Sequence, residues 1–154
     1  MGASPGYGRP PWLFKGRALY QFHLVKASTA HALIPENFRL VEAFGYTLGG
    51  FFLANYDESP AGIFDELVVL AGLLWNKPTS CAWAARVLVS SDEACLHGRE
   101  VMGLPSHIAR FSEHSNSKAG GQLSKCHFQA SVDIQSTTPA FISIHVASSA
   151  GREW

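Results

Sequence analysis

The chain has 154 residues, of which 47% are hydrophobic and 16% charged, and its formal net charge is zero. This length suits one domain, and the apolar content favours a folded core over a disordered chain. The balanced charge gives no basic field, so we expect no nucleic-acid partner. The longest apolar run, residues 67–75, is too short to span a membrane.

The cysteines and the first residues indicate where the protein resides. Cys81, Cys95 and Cys126 are widely spaced and odd in number, which excludes a disulfide framework and favours a reducing compartment. The start, MGASPGYGRPPW, contains no apolar segment of a signal peptide and is too short and Gly/Pro-rich for a transit peptide. These features predict a cytoplasmic location.

The first half of the chain predicts strands around one short helix. Residues 1–11 are Gly/Pro-rich and expected to be flexible, and residues 18–27 then form an apolar strand. Ser28 is predicted to cap a short helix that Pro35 ends. Residues 38–57 predict a strand, a glycine-containing bend and a second strand. The close spacing of three glycines in this bend indicates bulges or close backbone approach: Gly45, Gly49 and Gly50.

The middle of the chain predicts two further strands and a helix. The runs FDELVVLAGLLW and CAWAARVLVSS read as strands that the turn NKPTS joins. The segment SDEACLHGREVMG changes to helical spacing, with Ser90 and Glu93 as a capping box and Gly103 at the end. Beyond Phe111, SEHSNSKAGGQLSK predicts a loop or linker. CHFQASVDIQ and AFISIHVAS predict two more strands. The fold class is therefore α+β, mainly antiparallel β.

Several phrases of the sequence resemble the acetoacetate decarboxylase superfamily. The phrases are YQFHLV, ALIPENFRLV, GGFFLANYDESPAGIFDELVV, RVLVSSDEACLHGRE and GLPSHIARF, which occur in order within residues 6–111. GYGRPPWLFKGRALYQFHLVKA and DESPAGIFDELVVLAGLLWN are closest to a plant branch of that family. This resemblance implies a cone-shaped barrel of antiparallel strands with short helices, built around an apolar pocket.

The resemblance also implies a division of the chain. Residues 12–111 correspond to part of the family domain, and residues 112–154 depart from its pattern as a linker and tail. We therefore expect a shortened form of a longer domain. A barrel that lacks strands exposes unpaired edges, which favours aggregation or pairing with another chain, a homo-oligomer included.

The decarboxylases of this family use a lysine that forms a Schiff base with a β-keto acid, and no cofactor. That amine must be unprotonated, which desolvation and a second, adjacent lysine promote. The matching positions after Pro105 are Ser106 and His107. Neither side chain forms a stable iminium, so the sequence predicts loss of decarboxylation.

Other family pocket positions map by motif onto this chain. Phe51 matches an acidic position, and Lys26 matches an arginine and keeps the charge without the planar fork. Glu66, Arg99 and Glu100 retain the family residues. The predicted pocket set comprises Lys26, Phe51, Glu66, Arg99, Glu100, Ser106 and His107.

Each candidate also has a structural interpretation. Glu66 either points into the pocket or is a solvated carboxylate at a strand end. His107 is either an acid–base group, with a pKa near neutral, or a turn histidine that contacts backbone. Arg99 and Glu100 favour an ion pair that fixes the helix. No HxxxH or HxH pattern occurs, so no metal is expected, and no GxSxG elbow surrounds Ser106.

Two classes of function follow. The first is an accessory or ligand-binding protein that does not decarboxylate. Resemblance to the plant branch implies a requirement in forming neoxanthin, a xanthophyll upstream of abscisic acid, with a carotenoid or other apolar molecule as ligand and a link to plastids. The second is an isomerase or lyase that uses Glu66 and His107 as acid and base in the same pocket.

Overall fold

A computed structural model describes residues 6–115, 125–132 and 140–147 of the chain, which fall into two compact units. The first unit runs to His107, and the second starts at Ile108. The four long strands of the first unit and the three strands of the second pair antiparallel with their neighbours, and the two short helices that are described lie in the first. The predicted class, α+β and mainly antiparallel β, is confirmed.

Long sequential strands form the sheet of the first unit. They are β1 (Lys15–Lys26), β2 (Tyr46–Glu58), β3 (Phe64–Asn76) and β4 (Thr79–Val89). Each pairs antiparallel with the next, and the short strand β5 (Ser106–Ile108) follows β4 in the order of the sheet. The strand predictions for β1, β3 and β4 are confirmed.

Neither helix is capped by the serine that the sequence predicted. Helix α1 (Ala27–His31) directly follows β1, and Ser28 lies inside it rather than capping it. Helix α2 (Asp92–Glu100) is capped by Ser91, whose side chain accepts a hydrogen bond from the Ala94 amide at 3.3 Å. Ser90, the predicted cap, instead accepts from the amide of Asp65 at 2.8 Å, and so ties β4 to the start of β3.

The strand predicted from residue 38 to the glycine bend is wrong. Only isolated bridges form there, from Leu40 to Leu74 and from Ala43 to Tyr46. The physical reason lies in Phe44 and Gly45, which both adopt left-handed backbone conformations, with φ of 52° and 78°. Two such residues in succession reverse the chain and end a ladder. The second predicted strand, after this reversal, is β2.

Two buried clusters hold the sheet and helices of the first unit together. The cluster beside α1 comprises Ala27, Ala30, Ile34, Leu40, Ala71 and Leu74. The cluster beside α2 comprises Ala61, Phe64, Val87, Val89, Ala94 and Cys95. Burial of these apolar side chains stabilises each helix against the sheet at roughly 25 cal/mol per Å² removed from water. Neither helix of the described residues has the length and apolarity to cross a bilayer.

The second unit is a three-stranded antiparallel sheet. Its strands are β6 (Arg110–Ser115), β7 (Lys125–Val132) and β8 (Ala140–Ala147), in that order. The two strands predicted near the end of the chain are thus confirmed. Residues 112–115 of the predicted loop belong instead to β6. The rest of that predicted loop, residues 116–124, lies outside the described residues.

Candidate functional site

A cavity of about 160 Å³ lies between α2, the adjoining strands and the N-terminal segment. Its lining is mainly apolar and aromatic, which is typical of small-molecule sites. The sheet contributes Tyr56, Phe64, Glu66 and Val89. Helix α2 and the bend after it contribute Ala94, His97, Gly98, Met102, Leu104 and Ser106. The N-terminal segment contributes Tyr7, Trp12 and Phe14.

Strand register places the sheet residues of the cavity on one face. Tyr56 of β2 lies opposite Phe64 of β3, and Glu66, two residues further on, lies opposite Val89 of β4. Cross-strand partners share a face, and alternate residues of one strand do too. Glu66 therefore projects onto the side that α2 covers. Of the two interpretations given for Glu66, the cavity-facing position is the observed one.

Glu66 and Tyr56 form a polar pair in this apolar lining. The Tyr56 hydroxyl donates a hydrogen bond to Oε2 of Glu66 at 3.0 Å. Burial raises the pKa of Glu66, and this outweighs the lowering effect of the hydrogen bond. Burial, followed by the charge of Glu66, also raises the pKa of Tyr56. A carboxyl group with a raised pKa in an apolar cavity is suited to donating or sharing a proton.

Residues 7–14, here called the N-terminal cover, lie over the cavity. The ring of Tyr7 stacks on His97 with centroids 3.5 Å apart and planes 4° apart. Trp12 meets the same imidazole edge-on at 4.7 Å, and Phe14 contacts Tyr56 at 5.3 Å. Burial, and then the charges of Glu66 and Glu93, raise the pKa of Tyr7 to about 12. Tyr7, from the segment expected to be flexible, thus lines the cavity together with Trp12 and Phe14, which follow that segment.

The bend after α2 folds back onto the helix. The Leu104 amide donates to the carbonyl of Gly98 at 2.8 Å, and Nε of Arg99 donates to the carbonyl of Ser106 at 2.6 Å. Ser106 is 1% exposed and lines the cavity. Its hydroxyl lies so close to Gly98 that a Cβ on this glycine would sit 2.5 Å from Oγ. The bend therefore fixes Ser106 with its side chain turned inward.

His107 points away from the cavity. Adjacent residues of a strand point to opposite faces, and in β5 Ser106 is buried while His107 is exposed. Nη2 of Arg99 lies 3.4 Å from Nδ1 of His107. Burial, followed by the charges of Arg86 and Arg99, lowers the pKa of His107. His107 does not line this cavity, so Glu66 and His107 do not face a common cavity in the structure.

The other predicted pocket residues also lie outside this cavity. Lys26 is exposed at the end of β1. Phe51 and Tyr56 lie on a part of β2 that pairs with β3 without a bulge, and their positions in the sequence differ by an odd number. Phe51 therefore lies on the face of the sheet opposite to Tyr56 and the cavity, where its ring contacts that of His23. Arg99 and Glu100 are exposed at the end of α2. Arg99 binds the Ser106 carbonyl, and within the described residues no salt bridge of Arg99 or of Glu100 to a partner elsewhere is seen.

Sequence reasoning missed the N-terminal cover and His97. His97 follows Ala94 by three residues, which places both on one face of α2, and this helical spacing was available as a signal. The sequence also has aromatic residues at positions 7, 12 and 14 of a Gly/Pro-rich segment. Disordered segments are usually poor in aromatic residues, so these three were a second indication that the segment packs on the protein. No group of three or more metal-ligating side chains occurs within the described residues.

Comparison with known proteins places the chain among plant relatives. It is 76% identical over 111 residues to Protein NEOXANTHIN-DEFICIENT 1 of Arabidopsis thaliana, which covers 72% of this chain and 39% of that protein. It is 78% identical over 110 residues to the protein of the same name from Solanum lycopersicum, covering 71% of this chain and 37% of that protein. The chain thus spans less than two fifths of the length of the curated relatives it matches.

Solved structures share the fold at low sequence identity. The enduracididine biosynthesis enzyme MppR with HEPES bound has a TM-score of 0.60 at 18% identity, over 80% of this chain and 51% of that one. The acetoacetate decarboxylase of Legionella pneumophila has a TM-score of 0.59 at 13% identity, over 86% of this chain and 53% of that one. The family model of acetoacetate decarboxylase matches residues 2–152. The chain belongs to the acetoacetate decarboxylase (ADC) family.

Proposed function

We propose that this chain carries a ligand-binding form of the family pocket that does not decarboxylate, and that it serves neoxanthin formation. The name shared by the plant relatives supports the role in neoxanthin formation. The observation that carries the loss of decarboxylation is Ser106, which is buried in the cavity at the position where the family resemblance puts the Schiff-base lysine.

Schiff-base chemistry requires a neutral amine beside the keto group of the substrate. Among the described residues, no lysine lines the cavity. The hydroxyl of Ser106 is able to hydrogen-bond a ligand oxygen, but it has no route to an iminium and so provides no electron sink. Binding without decarboxylation is the function that this set of side chains supports best.

The size and lining of the cavity favour part of an apolar molecule as the ligand. A dry apolar cavity of about 150 Å³ in a protein core holds one benzene ring, and the cavity here is of similar size, about 160 Å³. Phe64, Val89 and Leu104 offer apolar contact to such a ring. The ligand on this proposal is a carotenoid or apocarotenoid that inserts its end ring, while its chain stays outside the cavity.

A second candidate function is acid–base catalysis by an isomerase or lyase. The observation that favours it is the pKa of Glu66, which burial raises, together with the Tyr56 hydrogen bond that orients the carboxyl group. On this alternative Glu66 acts as the general acid. His107 is not its partner, because its side chain lies outside the cavity.

One experiment separates decarboxylation from binding. The purified chain is treated with acetoacetate and borohydride, and its mass is measured. We expect no adduct, and a reduced adduct on any lysine would overturn the proposal. Binding is measured in parallel by quenching of tryptophan fluorescence with an apocarotenoid. Replacing Glu66 by Gln leaves a binder functional and abolishes catalysis by the alternative enzyme.

A further inference from the structure

Two buried polar atoms of the cavity lining have no hydrogen-bond partner among the described residues. They are Nε1 of Trp12 and Oγ of Ser106. Buried polar groups in folded proteins are nearly always hydrogen-bonded, so each exception needs an explanation. Both residues line the same cavity, one from the N-terminal cover and one from the bend after α2. A ligand that enters this cavity is the common explanation.

The chemistry of the two atoms specifies what that ligand carries. The indole N–H of Trp12 only donates, whereas the hydroxyl of Ser106 donates and accepts. A ligand oxygen with free lone pairs can accept the hydrogen bond that the indole N–H donates. The serine hydroxyl can either donate to such a lone pair or accept from an O–H group of the ligand. Carbonyl, hydroxyl and ether oxygens meet this requirement, and a hydrocarbon does not.

The charges around the cavity exclude an anionic ligand. Among the described residues, neither a lysine nor an arginine lines it. The carboxylate that the lining does contain, Glu66, disfavours a second negative charge in a site of low dielectric. A keto acid would therefore find no lysine or arginine as a countercharge, whereas a neutral oxygenated molecule needs none.

We propose that the cavity is a recognition site for a neutral, six-membered ring that carries one carbonyl, hydroxyl or ether oxygen, with Trp12 and Ser106 as the residues that select the oxygen. The apolar walls take the ring, and the two polar atoms distinguish an oxygenated ring from a hydrocarbon one. This inference rests on the binding role proposed above and adds the class of ligand. It also makes the N-terminal cover part of the ligand site.

The test uses three small probes on the full chain, labelled with ¹⁵N at the tryptophan indoles. Cyclohexanone is the oxygenated ring, methylenecyclohexane is its near-isosteric hydrocarbon, and cyclohexanecarboxylate is the anion. The Trp12 indole signal is assigned as the one that disappears in the Trp12→Phe variant. Dissociation constants come from titrations followed in the NMR spectrum.

We expect cyclohexanone to bind about tenfold more tightly than methylenecyclohexane and to move the Trp12 indole proton downfield, because a hydrogen bond forms. Trp12→Phe and Ser106→Ala should each weaken the binding of cyclohexanone by about five- to tenfold. Neither change should alter the affinity for methylenecyclohexane. Trp75→Phe and Ser80→Ala, at exposed positions outside the cavity, serve as matched controls with wild-type affinity for both.

The outcomes separate this inference from the proposed function. If the two neutral rings bind equally and the indole proton does not move, the selection of oxygen is wrong, while apolar binding stands; a water held by both atoms would give that result. Tightest binding of cyclohexanecarboxylate would also overturn the inference. Binding of none of the rings would overturn this inference, and the apocarotenoid titration would then decide whether the proposed binding role stands.

Discussion

The ring of Tyr7 lies flat on the imidazole of His97, with 3.5 Å between the centroids. This stack joins the N-terminal cover to α2 across the mouth of the cavity. Trp12 packs on the same imidazole from its edge, so His97 anchors two side chains of the cover. The cover is thus held by aromatic contacts rather than by strand pairing, which starts only at Lys15.

Replacing Tyr7 by Leu should release the cover. Aromatic pairs contribute about 0.5–1.5 kcal/mol beyond the area they bury, so we expect the free energy of unfolding to fall by about 1–2 kcal/mol. Trp12 should become more accessible to acrylamide, measured by quenching of its fluorescence. Tyr46→Leu, at an exposed tyrosine at the start of β2, is the control. Equal quenching in the variant and the wild type would show that the stack does not hold the cover.

Gly98 of α2 packs against Ser106 of the bend with no room for a side chain. A methyl group on Gly98 would meet Oγ of Ser106 at 2.5 Å, well inside van der Waals contact. Gly98→Ala should therefore lower the free energy of unfolding by about 1–3 kcal/mol, although alanine is otherwise the better helix former by about 1 kcal/mol. Denaturant unfolding measures the change.

A double-mutant cycle with Ser106→Gly tests the cause of that loss. With the serine side chain removed, Gly98→Ala should be neutral or stabilising, which gives a coupling energy of about 1 kcal/mol or more. Glu100→Ala, at an exposed position of the same helix, should change stability by less than about 0.5 kcal/mol. Additive effects of the two changes would mean that the hydroxyl does not cause the strain.

Alternation along the strands accounts for what the sequence predicted well. The apolar runs of β3 and β4 and the turn between them were predictable, because a buried strand needs side chains of this kind wherever it lies. The same periodicity shows why Glu66 shares a face with Phe64. The cap of α2 differs from the prediction by one residue, since Ser90 and Ser91 are equally suited to the role and only the hydrogen bond that Ser90 accepts from the Asp65 amide decides between them.

Tertiary contacts account for what the sequence did not reveal. The family motif predicted both Ser106 and His107 as pocket residues, but one of two adjacent residues in a strand must point away from the cavity. Phe51 failed for the same reason of parity. The N-terminal cover depends on Tyr7 meeting His97, which is distant in the sequence, and no local pattern encodes that contact.

His107 should prove irrelevant to binding, because its side chain lies outside the cavity. We expect His107→Gln to bind cyclohexanone within about twofold of wild type, a change of less than about 0.5 kcal/mol. Ser106→Ala, one residue earlier and inside the cavity, is the matched comparison. A loss of affinity as large as that of Ser106→Ala would return His107 to the site.

The pKa of His107 provides a second test of its surroundings. Burial and the nearby arginines lower this pKa below 6.5, so the folded chain binds this proton less readily than the unfolded chain. The free energy of unfolding should therefore decrease as pH falls below 6.5, because protonation of His107 then favours the unfolded chain. Following the ring protons by NMR should give a pKa below 6.5, and Arg99→Gln should raise it. An unchanged pKa in Arg99→Gln would contradict the assigned contact.

Glu66 should make stability fall as pH rises. Because burial raises its pKa above 4.5, the folded chain holds the Glu66 proton more tightly than the unfolded chain. Stability is then greatest while both states are protonated, and it decreases as pH rises from 4.5 through the folded pKa. Each unit by which the two pKa values differ corresponds to about 1.4 kcal/mol at neutral pH.

Replacing Glu66 by Gln should remove this loss. Gln keeps the size and an oxygen that accepts from the Tyr56 hydroxyl, and it carries no charge to bury. We expect the variant to be more stable than wild type at pH 7 and similar to it below pH 4.5, measured by urea unfolding across that range. Asp57→Asn, an exposed carboxylate on β2, should not reproduce the effect. A Glu66→Gln variant that is less stable at pH 7 would mean that the carboxylate is stabilised in its charged form, and the cavity would then be more polar than the structure indicates.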